Sequence, residues 1–310
     1  MTMSRIISFD GGGVRGVIPV VLLQRLQRES GLGELLSKAH LFAGTSTGGL
    51  IALSLASELT LEAVLELYQQ RAQHIFHKTL LDDIRDLDRL IGAPYKAKNL
   101  SGQLRDVFGD RRLDQLNKRV LVPAFDLDNE DPDPAKRTWK PKIFHNFPGP
   151  DSDGARRAYN VATYTASAPT YFPTADGYVD GGVFATNPAM CALAQTQDPR
   201  NDPDDRGTLD DLVLLSFGTG HSLQYIDGPS HDWGYLQWIR PLINLMLDGV
   251  NGIADYQCQQ MLRSRYRRVA PTFPPGVTIA EDAVDQIPYM IDFANQLDLG
   301  EVIAWLHEHW

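Results

Sequence analysis

With 310 residues, 43% of them apolar and 22% charged, the chain has the make-up of an ordinary folded protein, either two domains or one large α/β domain. A formal charge of −10 excludes the basic stripe a nucleic-acid partner requires and disfavours electrostatic anchoring on an anionic bilayer. Apolar runs such as GVIPVVLL (16–23) fall well short of the roughly 18 residues of a membrane-spanning helix, and the first residues lack the basic-then-apolar order of a secretory leader, so a cytoplasmic protein is expected.

Taken in order, RIISF (5–9) reads as an apolar strand, followed by the glycine burst Gly11-Gly12-Gly13 and helical spacing over 14–30. LFAG (41–44) is a second short strand that runs through Gly44-Thr45-Ser46-Thr47-Gly48 into a helix carrying GLIALSLAS (49–57). Over 61–76, Leu61, Val64, Leu65, Leu67 and Tyr68 share one helical face. RVLVPAFDL (119–127) and KIFHNF (142–147) are strands, DLVLLSFGTG (211–220) is a buried strand ending in a glycine turn, and the last 80 residues read as mostly helical. The acidic, proline-bearing stretches 126–134 and 198–206 are exposed loops. Strands alternating with helices imply a parallel or mixed sheet covered on both faces, with ligands beyond the carboxyl ends of its strands. Cys191 and Cys258 have neither metal nor disulfide-framework spacing and are expected as buried small side chains.

Three glycine-flanked constellations carry chemistry. Gly11-x-Gly13-x-x-Gly16 matches the spacing of a dinucleotide-binding turn, but such a site needs an acidic residue about 20 positions on at a strand end. Only Glu29 and Glu34 are available, in a helix end and a turn, and Asp10 would add negative charge beside a pyrophosphate. What remains is an anion nest: several N–H groups at the positive end of a helix. Gly44-x-Ser46-x-Gly48 stands between a strand and a helix, the setting of a nucleophile elbow, with Ser46 as nucleophile. Its base is either His221, which of the eight histidines best suits a catalytic loop, or Asp180, at a strand end in Asp180-Gly181-Gly182. Read alone, the latter is also a common turn sequence.

The ordered set Asp10–Gly16, Gly44–Gly48 and Asp180–Gly182 resembles the patatin-like phospholipases, a family of lipid acyl hydrolases, as do TASAPTYFP (165–173), NPAM (187–190) and LLSFGTG (214–220). The resemblance covers about residues 5–265. It implies one catalytic domain over 1–310, with 266–310 as a helical C-terminal extension packed on it, and a three-layer α/β/α sandwich around a mixed or parallel sheet of about six strands. It further implies a Ser46–Asp180 dyad without histidine, oxyanion donors at Gly11, Gly12 and Gly13, no metal, no cofactor and no C2 calcium module. The substrates would be phospholipids, lysophospholipids or galactolipids, met at a membrane or micelle surface. Some bacterial members answer to cyclic dinucleotides, which makes a nucleotide activator a weaker partner expectation. Arg15 is expected either near a substrate phosphate or in a salt bridge, and Asn187 as a hydrogen-bonding support for the Asp180 loop. Tyr171 and Phe172 are expected to line an acyl channel. The aromatics Trp233, Tyr235 and Trp238 are expected either to pack on the sheet or to dip into lipid.

Overall fold

The computed structural model describes residues 4–71, 97–169, 171–226 and 234–310. Its centre is a mixed seven-stranded sheet. Strands β1 (Arg5–Phe9), β2 (Leu41–Gly44), β3 (Arg119–Asp126), β4 (Lys140–His145), β6 (Val213–Phe217) and β7 (Tyr266–Val269) lie in the order β4-β3-β2-β1-β6-β7. All pairings from β3 to β7 are parallel, and β4 is antiparallel to β3. The short β5 (Tyr178–Asp180) is antiparallel to the end of β3 and leads into the one-turn helix α6 (Gly182–Ala185).

Both faces of the sheet are covered, which explains why its central strands are continuous apolar runs rather than alternating ones. Ile7, Phe9, Phe42, Val120, Val122, Leu215 and Phe217 face one core. Against them lie α1 (Val17–Arg28), α2 (Thr47–Ala56), α3 (Leu61–Glu66), α4 (Ala97–Phe108) and α5 (Ala158–Ala166). Their neighbours Ile6, Leu41, Ala43, Leu121 and Leu214 face the other core. That core is closed by α7 (Ala189–Thr196) through Ala192 and Leu193, and by α8 (Tyr235–Leu262) through Cys258 and Leu262. The chain is thus a three-layer α/β/α sandwich.

Pro19 sits in the first turn of α1, where no intrahelical N–H bond is lost, and the chain leaves that helix through Gly31 at φ 81°. The helix expected over 61–76 is α-helical only to Glu66, continues as a π turn over Leu67–Arg71, and beyond that lies outside the described residues. The region past 265 departs from an all-helical extension. It opens with β7, the edge strand, before α9 (Ile287–Gln296) and α10 (Gly300–His309). Its YRRV sequence carries two arginines in four residues, which hides the strand from a hydrophobicity pattern.

Candidate active site

Register decides what meets at the sheet's carboxyl end. On one edge of β3, residues 119–121 pair with β2 while Ala124–Asp126 pair with β5. Strand β5 therefore fills the space just beyond the end of β2, and Asp180 arrives beside the turn that carries Ser46. Ser46 holds φ 55° and ψ −124°, a backbone state rare for any residue with a Cβ. Its N–H donates to Thr165 Oγ1 (2.9 Å), whose hydroxyl donates to the Pro123 carbonyl (2.6 Å). The flanking glycines are needed for closeness: a Cβ on Gly44 would collide with the Gly48 carbonyl, and one on Gly48 with the Phe9 carbonyl.

The Ser46 side chain stands close enough to the Asp180 carboxylate to favour its ionised form. Asp180 is 5% exposed, takes the Gly182 N–H on Oδ1 (2.7 Å) and gives its own N–H to Ser167 O (3.0 Å). Burial pushes its carboxyl up to about 7, against the pull of the Ser46 side chain and the Gly182 hydrogen bond, and the charge of Glu281 adds to the rise.

The glycine loop stands over this pair, with Gly11 against the Ser46 side chain. Gly12 at φ 151° and Gly13 at φ 58° occupy conformations open to glycine. The Gly11 N–H is committed to the Thr186 carbonyl (2.9 Å), which removes it from the expected set of three oxyanion donors. Among the described residues the Gly12 and Gly13 amides have no partner. Thr219 Oγ1 donates to Gly11 O (2.8 Å), and Asp10, 1% exposed, takes both terminal nitrogens of Arg268 on its two carboxylate oxygens. Asp10 is thus a neutralised anchor beneath the loop.

From Ser46 and Gly13 an apolar cleft of about 930 Å3, counting its open mouth, runs along Leu50, Ile51, Val64, Leu67, Leu100, Leu104 and Phe108, with Tyr171 and Phe172 on its wall. Its shape and lining suit a long apolar group with one polar end.

The family model for patatin-like phospholipases matches residues 7–193, more than half of the chain and every residue of the Ser46–Asp180 pair and the glycine loop. The chain belongs to the patatin-like phospholipase family. It is similar to the Bacillus subtilis (strain 168) protein CotR, named as a sporulation hydrolase, with 28% identity over 100% of this chain and 99% of that one. It is equally 28% identical to a protein of Pseudomonas aeruginosa (strain BWHPSA011 / Pa011) named cGAMP-activated phospholipase, over 91% of this chain and 82% of that one. Among solved structures it overlays on the heterodimeric ExoU–SpcU complex from the type III secretion system of Pseudomonas aeruginosa with a TM-score of 0.46 at 13% identity, covering 99% of this chain and 52% of that one.

The other expected residues of this patatin-like chain fall as follows. Arg15 donates through Nε to Gly12 O (3.2 Å) and pairs through Nη2 with Glu281 Oε1 (3.2 Å). Asn187 accepts the Ala189 N–H (3.0 Å) at the start of α7, and its buried Nδ2 has no partner among the described residues. It supports a helix start rather than touching the Asp180 carboxylate. His221 is exposed, and its backbone bonds Pro271 and Phe273, so the alternative base stands outside the cleft lining. Glu29 and Glu34 are both exposed, away from any strand end. Trp233 lies outside the described residues, and Trp238 is half-buried on α8. No helix among the described residues is long and apolar enough to cross a membrane.

Sequence reasoning missed Thr165, Arg268, Glu281 and Tyr68. Tyr68, on the π turn, hydrogen-bonds the hydroxyl of Thr47, the residue after Ser46. Thr165 alone had a signal, as the first residue of TASAPTYFP. The others come from positions whose neighbours in sequence say nothing of the site.

Proposed function

We propose that this protein is a serine lipid acyl hydrolase acting through Ser46 and Asp180, its catalytic machinery contained in one domain. The observation that carries the reading is the buried Asp180 carboxylate beside the Ser46 side chain, next to two amides with no partner among the described residues and at the polar end of an apolar cleft. An acyl chain fills the cleft and brings its ester carbonyl to Ser46. Asp180 accepts the Ser46 proton as Oγ attacks, and the oxyanion of the tetrahedral intermediate forms against the Gly12 and Gly13 N–H groups, which are oriented before charge develops. Collapse expels the alcohol, which takes the proton from Asp180. Water activated by the same carboxylate then releases the fatty acid. Direct proton transfer from Ser46 to Asp180 replaces the imidazole relay of a triad, and a carboxyl raised to about 7 is a far better base than one in water.

Phospholipids, lysophospholipids and galactolipids are the substrate class, encountered at a membrane or micelle surface. The test compares Ser46→Ala, Asp180→Asn and His221→Ala on a p-nitrophenyl ester and on micellar phospholipid. The first two lose at least about 10³ in kcat, and His221→Ala keeps wild-type rates. Loss of activity in His221→Ala, or retention in Asp180→Asn, overturns the assignment.

A further inference from the structure

The residue that completes the polar end of the cleft comes from outside the stretch matched by the family. Glu281 lies between β7 and α9, more than 260 positions from the loop it touches, yet its carbonyl accepts the Val14 N–H (2.8 Å) and a Cβ on Gly13 would collide with it. Its carboxylate lies 3.2 Å from Arg15 Nη2, with side chains 35% and 18% exposed respectively, and it lines the cleft together with Gly13, Ser46 and Tyr171.

The rest follows from how an ester must lie, and so rests on the acyl hydrolase reading above. With the acyl chain in the apolar arm and the carbonyl at Ser46, the alcohol portion of the lipid leaves on the opposite side, past Gly13, Arg15 and Glu281. At that point Arg15 is already satisfied by a carboxylate. The half-buried Asp282 follows immediately, and its charge and that of Glu281 both act on the Tyr171 hydroxyl. A phosphate with no compensating cation meets the Glu281 carboxylate there and competes with it for Arg15. A head group that is neutral overall does not carry that penalty.

We propose that Glu281 sets the head-group preference of this enzyme, discriminating at the mouth of the cleft against lipids of net negative charge. The side chain faces the part of the substrate that does not react, so this preference is read in a ratio of substrates, in which its influence on the Asp180 carboxyl, common to both, cancels. A single charge a few ångströms away at a half-exposed site changes that ratio on the order of tenfold.

The experiment measures kcat/KM for phosphatidylcholine and phosphatidylglycerol of identical acyl chains, each dilute in micelles of a neutral detergent. Wild type prefers phosphatidylcholine on the order of tenfold, and Glu281→Gln reduces that ratio by a similar factor. Since the Glu281 backbone makes the Val14 bond, the amide keeps the loop in place. Arg15→Met, which leaves the carboxylate uncompensated, widens the ratio. Glu34→Gln removes an equal charge from an exposed position and leaves the ratio at its wild-type value. The proposal falls if Glu281→Gln leaves the ratio unmoved, or if Glu34→Gln moves it equally, which would assign the preference to whole-molecule charge. Labelling of Ser46 by a fluorophosphonate separates the two readings. If the serine is labelled and the ratio stays constant, only the Glu281 proposal fails. With neither labelling nor hydrolysis, both fail.

Discussion

In the proposed reaction Asp180 accepts a proton in a place that resists its charge. Burial raises its carboxyl to about 7 from 3.8, and the negative charge of Glu281 reinforces that, while the Ser46 side chain and the Gly182 bond favour the anion. Activity is therefore expected to rise with pH through about 7 and level off above it, as measured by kcat/KM on a soluble ester. Stability runs the other way. The native state holds this proton more tightly than the unfolded chain, so the favourable contribution is complete below about pH 4 and is lost as pH climbs through about 7. Asp180→Asn cannot ionise and is spared that loss. Its melting temperature should exceed wild type by more at pH 8 than at pH 5, by roughly 2–4 °C per kcal/mol relieved. An equal difference at both pH values would show that the carboxyl titrates normally.

Ser46 depends on its strand–turn–helix as a unit. The turn holds a non-glycine residue at φ 55°, and only bonds from neighbouring elements keep it there. Chief among these is Thr165 of α5, which joins the Ser46 N–H to the Pro123 carbonyl of β3. Thr165→Val keeps the shape and strands both polar groups, costing about 1–3 kcal/mol in denaturant unfolding. It should also lower kcat with little change in KM, and Thr165→Ser should restore both. The same logic explains why GxSxG was legible and its support was not. Gly44 is required by its contact with Gly48 four residues on, and the motif itself spans five residues, whereas Thr165 is 119 positions from the backbone it holds.

At the scale of the whole molecule, residues from both ends of the sequence hold the glycine loop. Arg268 of the edge strand β7 binds Asp10 and reaches Ser216 (2.7 Å) and Asn251 (3.0 Å), tying β1, β6, β7 and α8 together at one guanidinium. Arg268→Met leaves the Asp10 carboxylate buried and unpaired, at a cost of about 3–5 kcal/mol. Urea unfolding measures that loss, and slower fluorophosphonate labelling of Ser46 would report that the loop above Asp10 has loosened. A stability change under 1 kcal/mol would mean that water or a second cation replaces the guanidinium.

The amino-acid sequence by itself determined the alternation of strands and helices, the nucleophile turn, the glycine loop and the aspartate, because each is specified by a local requirement: apolar period, close backbone approach, or a positive φ. Only the tertiary structure decided that Asp180 rather than His221 stands beside Ser46, that the Gly12 and Gly13 amides are left without a partner among the described residues, and that Arg268 and Glu281 belong to the site. Those outcomes depend on strand register and on side chains crossing between layers. β5 reaches Ser46 only because β2 stops short along the edge of β3, and the Gly11 amide is lost only because Thr186 packs against it. Contacts between residues more than a hundred positions apart leave no periodic trace in either segment, so they become readable only once the sheet has brought the segments together.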